Sequence, residues 1–141
     1  MIVAEMAQGC FANRLRSASR AITRHYDAAL KPLDLKISQL SVLVGASIGA
    51  GELTIVDLAE RLGMDRSTLS RNLDPLERRG LVAIGPEERH RARRVALTDA
   101  GVTLLEAAYP LWQAAQRDVA AMAPDLPEAL GRIAPVLDLP A

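Results

Sequence analysis

The stretch from Asp65 to Gly80, DRSTLSRNLDPLERRG, places leucines at 69, 73 and 76 behind a residue that caps helices and ahead of a glycine that ends them. Spacings of four and three give a helix with one apolar face, and they do not fit a strand. The Asp65 carboxylate can accept from amides two and three residues on. Just upstream, Ile55 to Leu62 repeats the pattern with Val56, Leu58, Ala59 and Leu62 inward, and Gly63 supplies the turn between the two helices. Pro75 removes the amide that would bond the Arg71 carbonyl, so a bend there, or a helix end near Arg79 and Gly80, is expected.

Downstream, Leu81 to Ile84 and Arg93 to Leu97 read as a hairpin with a charge-rich tip of about eight residues. Thr98 is placed to cap a long helix through Val102, Leu105, Tyr109, Trp112 and Val119, with Pro110 inside it. Pro127 and Pro135 bracket a short last helix. Ahead of the central pair, Phe11, Leu15, Ala18, Ile22, Tyr26 and Leu30 predict a helix from Gly9 to about Leu30 that Pro32 ends. Ser38 is the expected cap of the next helix, which runs through Leu40, Leu43 and Val44 to Ile48 before the glycines at 49 and 51.

The 141 residues suit one domain. With one cysteine and two histidines far apart, the sequence offers neither an intrachain disulfide nor a local metal cluster, and no cofactor is implied. The longest uncharged run, residues 37 to 51, is 15 residues long and holds three glycines, too short to span a bilayer. The first ten residues lack a basic segment followed by a long apolar one. A cytoplasmic protein without a membrane partner is the expectation.

Charge is balanced overall, 17 basic against 17 acidic side chains, but not along the chain. Residues 61 to 94 carry nine arginines against five acids, whereas residues 95 to 141 carry two arginines against six acids. A basic middle is a surface suited to an anion. Opposite the leucines at 69, 73 and 76 lie Arg66, Ser67, Ser70 and Arg71, with Thr68 and Asn72 on the flanks. Arginine in a major groove reads guanine O6 and N7, and hydroxyls reach phosphates or base edges. The hairpin tip, with Arg89, His90, Arg91, Arg93 and Arg94, can contact the backbone or an adjacent minor groove. The expected fold is therefore mainly α: a winged helix-turn-helix with a two-stranded β wing, binding double-stranded DNA.

The block LTIVDLAERLGMDRSTLSRNLDPLERRGLV, the wing and VALTDAG, in this unbroken order, resemble the MarR family of winged helix-turn-helix transcription regulators. The resemblance covers nearly the whole chain. It implies a homodimer on a pseudo-palindromic operator, with residues 1–33 and 99–141 as dimerisation helices around a DNA-binding part at 38–98. It also implies recognition-helix contacts by Arg66, Ser67, Thr68, Ser70 and Arg71, and a wing contact by Arg91. Where family wings carry an Asp, this chain has Arg89, with Glu88 beside it.

Pairing two copies would bury the apolar stripes of both termini. All four aromatic residues lie in those terminal segments. Tyr26, Tyr109 and Trp112 either fill a helical interface or line a pocket for a small aromatic effector that releases a repressor. Cys10, with Arg14 one turn on, lies near a helix N-terminus, which favours a thiolate. The pair Cys10-Phe11 resembles the hydroperoxide-sensing branch of the family, although that branch has Tyr-Pro where this chain has Ile37-Ser38. An oxidant-sensing regulator is thus an alternative, a small buried hydrophobe at Cys10 is another, and a thiol peroxidase is the enzyme reading. That last reading has no base near Cys10 in sequence. A module used only for protein contacts would tolerate loss of Arg66, Arg71, Arg91 and Arg94.

Overall fold

A computed structural model describes residues 1–86 and 93–133. Two helices open the chain, α1 (Ile2–Gly9) and α2 (Phe11–Leu30), separated by Cys10 in extended backbone. The sequence predicted one helix from Gly9, so α1 is an addition. None of its residues is buried, which leaves Ile2, Val3 and Met6 open. A 3₁₀ turn at Lys31–Leu33 contains Pro32, and Asp34 follows with φ +49°. Next come α3 (Ile37–Ile48), α4 (Ile55–Leu62), α5 (Arg66–Arg78), strands β1 (Val82–Ile84) and β2 (Val95–Leu97), α6 (Asp99–Met122) and α7 (Leu126–Ile133). The wing tip, including Glu88, Arg89, His90 and Arg91, lies outside the described residues, as does Pro135.

The central elements form where their caps say they should. Thr54 accepts from the Asp57 amide, and Asp57 accepts back from the Thr54 amide at 3.0 Å, closing a capping box on α4. Gly63 turns the chain at φ +61°, which costs a glycine little. Asp65 accepts from the Thr68 amide at 2.7 Å to start α5. Thr98 accepts from the Gly101 amide and donates to the Gly80 carbonyl at 2.6 Å, so one hydroxyl caps α6 and fixes the end of the α5 turn. Gly101 has to be glycine: a Cβ there would meet the Leu81 carbonyl oxygen at 2.2 Å. Helix α5 runs on past Pro75 to Arg78, and α6 past Pro110 to Met122.

Two cap and strand expectations need correction. Ser38 does not cap α3; Lys36 precedes the first helical residue. The half-buried Ile37 amide donates to the Asp27 carboxylate of α2 at 2.8 Å, a cap from another helix, and Ser38 faces α5. The hairpin is also shorter than the two apolar runs. Val82 pairs with Leu97 and Ile84 with Val95, whereas Arg94 bridges to Thr54, and Val95 donates to the Leu53 carbonyl. The second strand therefore spends its other edge on the segment leading into α4.

One core holds these pieces together, with Leu30, Val42, Leu43, Leu58, Leu69, Leu73, Leu76 and Val95 almost fully buried. Of the four residues expected inward on α4, Leu58 and Ala59 are buried and Leu62 is half-buried, whereas Val56 is 39% exposed at the edge of that face. A smaller cluster of Tyr26, Ala115 and Val119 joins α2 to α6, and His25 meets Asp118 at 3.0 Å beside it. Phe11, Leu15, Met122, Leu130 and Ile133 stay exposed.

Both capping carboxylates titrate below the ordinary range. For Asp57 the main cause is the Thr54 hydroxyl and then the Thr54 amide; for Asp65 it is the Thr68 amide and then its hydroxyl. A lowered folded value adds stability that is complete above the unfolded value of about 4 and is lost as pH falls through the folded one. An Asp57→Asn, Asp65→Asn double variant should therefore show a shallower fall of melting temperature between about pH 4 and pH 2 than the wild type. Equal slopes in thermal melts across that range would contradict the two caps.

Candidate nucleic-acid interface

The outer face of α5 is set by its inner one. With Leu69, Leu73 and Leu76 packed on the core, Arg66, Ser67, Ser70 and Arg71 all project outward and exposed. Arg71 reaches back over the first turn to the Thr68 hydroxyl at 3.4 Å, and that hydroxyl donates to Asp65 at 3.1 Å. Thr68 is thus half-buried in the cap and acts on this face through Arg71. Arg66 forms no ion pair among the described residues.

Asn72 does not join this face. Its side chain accepts from the Ser38 hydroxyl at 2.8 Å and donates to the Thr68 carbonyl at 2.8 Å, which uses both ends of the amide against protein. The spacing could have revealed this, since Asn72 stands three residues after Leu69 and four before Leu76, within the inward stripe. At the root of the wing, Arg93 donates to the Gly85 carbonyl at 2.9 Å, and Arg94 is paired with Glu52. These two arginines brace the hairpin, while Arg89 and Arg91 are outside the described residues.

A cavity of about 800 Å³ opens between α3, α4 and α6. One side of α3 (Ile37, Leu40, Val44, Ile48) forms a wall, Leu105, Tyr109 and Trp112 of α6 face it, and α4 adds Leu62 and Arg61. The Tyr109 and Trp112 rings stack at 6.1 Å with an interplanar angle of 25°. Arg61 and Ser41 bring polar groups to an otherwise apolar lining. Most of these residues were missed by sequence reasoning, because a helix that is apolar nearly all round gives no sign of which side stays unfilled.

Three residues grouped with the aromatic pair lie elsewhere. Tyr26 is 8% exposed, packs on Ala115 and Val119, and donates to Gln116; burial raises its phenol pKa. Cys10 is half-buried at the junction of α1 and α2, its carbonyl accepting from the Arg14 amide, and neither Cys10 nor Arg14 lines the cavity. His25 stands fifteen residues further along α2, about 22 Å by helical rise, and is engaged with Asp118. Among the described residues no three metal-binding side chains gather, and no helix is long and apolar enough to cross a membrane.

Known proteins share this arrangement. Residues 33–93 match the MarR family model. The crystal structure of the Mycobacterium tuberculosis transcriptional regulator MosR is 36% identical, with a TM-score of 0.80 over 92% of this chain and 93% of that one. MosR in complex with DNA gives 32% identity and a TM-score of 0.76 over 92% and 96%. The M. tuberculosis MarR family protein Rv2887, complexed with p-aminosalicylic acid, gives 27% and 0.65 over 91% and 98%. No curated protein matches the chain. A winged helix-turn-helix whose recognition helix carries exposed arginines and hydroxyls, matched over nine-tenths of its length by such regulators, belongs to the MarR family of DNA-binding transcriptional regulators.

Proposed function

We propose that the protein is a homodimeric repressor that binds a pseudo-palindromic operator in the cytoplasm and is released by a small aromatic ligand. The cavity between α3, α4 and α6 carries this reading. It is large enough for a drug-sized molecule, its walls are apolar, and the stacked Tyr109–Trp112 pair offers a flat ring surface. Its position also matters: α4 and α3 support the recognition helix, so a ligand wedged against them acts on α5 through packed side chains.

The dimer is supported by what one chain leaves uncovered. Phe11 and Leu15 on α2, the apolar side chains of α1, and Leu130 and Ile133 on α7 are open to solvent. Burying such area yields roughly 25 cal/mol per Å². Two-fold pairing covers both terminal segments at once and sets two recognition helices about 34 Å apart, the repeat of successive major grooves. Repression follows from occupancy, since a dimer sitting over a promoter excludes polymerase. Arg66, Ser67, Ser70 and Arg71 are the proposed groove contacts, with Arg89 and Arg91 at the wing. MosR has been crystallised with DNA and Rv2887 with an aromatic acid, which favours both halves of this reading.

Trp112 is the only tryptophan, so its fluorescence reports on the cavity. Titration with salicylate should give a saturable change and should release bound duplex. Tyr109→Ala should weaken the ligand about three- to tenfold, the worth of one aromatic pair. Release of DNA without any Trp112 signal would count against the cavity. A second reading, oxidation of Cys10, rests on the placement of that thiol at the partly open α1–α2 break. In that case Cys10→Ser would abolish release by hydroperoxide.

A further inference from the structure

Helix α2 carries much of the apolar surface proposed for the dimer, and α5 carries the side chains proposed for the groove. The two helices are joined mainly through α3, against which both pack. Something has to hold α5 at a fixed angle to α2 if two recognition helices are to meet successive grooves.

The polar contacts at the α2–α3 junction do this at two points. At its C-terminal end, α5 is capped by Arg79, whose guanidinium donates to the Asp34 carbonyl at 2.7 Å and to the Leu33 carbonyl at 3.0 Å. A planar fork on two successive carbonyls fixes direction as well as distance. It grips the turn where Asp34 adopts a left-handed φ of +49°, a conformation that surrounding contacts must hold for a residue other than glycine. Two helical turns earlier, Asn72 takes the Ser38 hydroxyl of α3. The residue before Ser38, Ile37, donates its amide to Asp27 of α2. One tether runs from α2 through Ile37 and Ser38 to Asn72; the other runs from the turn after α2 to Arg79.

From these contacts we infer that Arg79 and the Ser38–Asn72 pair are positioning residues that set the angle of the recognition helix to the dimer, and with it the half-site spacing that the protein accepts. This rests on the dimeric reading above. Two anchors about 10 Å apart along α5 restrain tilt and roll together, which a single anchor would not. A tilt of about 10° at one end of a helix about 20 Å long moves the other end by about 3 Å, the length of a hydrogen bond. Arg79 is exposed and Asn72 half-buried, so neither is a main support of the core.

The test compares wild type, Ser38→Ala, Arg79→Gln and Arg79→Lys. The probes are the best duplex selected from a random pool, the same duplex with its half-sites moved by one base pair either way, and a duplex with one half-site. Ser38→Ala alters nothing on α5 and so keeps the test open if an Arg79 variant fails to fold, which melting temperature reports. For Ser38→Ala and Arg79→Gln, affinity for the native spacing should fall about three- to tenfold. Preference for that spacing should shrink by a similar factor, affinity for the single half-site should hold within about twofold, and Arg79→Lys should restore part of the preference. Spacing preference unchanged in both Ser38→Ala and Arg79→Gln would overturn the inference. So would an equal loss on the single half-site, which would mean direct contact with DNA. A wild type that binds duplex with no spacing preference would sink the dimeric reading and this inference with it.

Discussion

Replacing Arg71 with Ala is expected to weaken binding to the selected duplex about ten- to a hundredfold, or roughly 1–3 kcal/mol, the worth of a bidentate pair to a guanine. Arg71 is exposed on the outer face of α5 and is steered by the Thr68 hydroxyl, itself fixed by Asp65. The contact is long and exposed, so it inclines the guanidinium toward the outer face and leaves it free to turn to a base. Loss should concentrate on one base position of the operator and leave binding to unrelated duplex much less affected. Arg94→Ala is the matched comparison. Its guanidinium is paired with Glu52 at the root of the wing, so its removal should change affinity by about twofold or less. Anisotropy titrations of both variants at one salt concentration check the contrast, and equal losses would remove Arg71 from the base-reading set.

Leu73→Ala is expected to cost about 2–5 kcal/mol of folding stability, a large part of the roughly 5–15 available to a domain of this kind. Leu73 is 2% exposed and sits in the main core between Leu69 and Leu76. A cavity there undoes the side of α5 that faces the protein, so stability and DNA binding should fall together. Leu73→Met, which nearly conserves volume, should cost less than about 1.5 kcal/mol and keep DNA binding. Urea denaturation followed by circular dichroism measures both. A loss below about 1 kcal/mol for the Ala variant would mean that α5 is held chiefly by its polar tethers.

The legible parts of this fold were those where a local rule and the tertiary structure agree. The leucines of α5, the Asp65 and Thr98 caps and Gly63 could be read because one or two turns of chain contain both partners. Where the partner is distant in sequence, reading failed. Ser38 looked like a cap, but Asp27, ten residues away, occupies that role. The exposed pairing of Arg94 with Glu52, 42 residues away, likewise left no trace in the local pattern. Tyr26 looked available to a ligand, yet its spacing from Ile22 and Leu30 puts it on the buried side of α2. Asn72 could have been placed correctly, because its register with Leu69 and Leu76 is local; its polarity outweighed its position. Helix α1 gave no signal, and none of its side chains is buried against the described residues.

Selection of bound sequences from random duplex DNA would show the dimer at work, because a leucine-anchored helix aimed at DNA by a two-fold dimer has to leave its symmetry in the sequences it enriches. The expected result is an inverted repeat whose half-sites are centred about one helical turn, 10 to 10.5 base pairs, apart. Enrichment of single, unpaired sites, or no enrichment at low ionic strength, would contradict it.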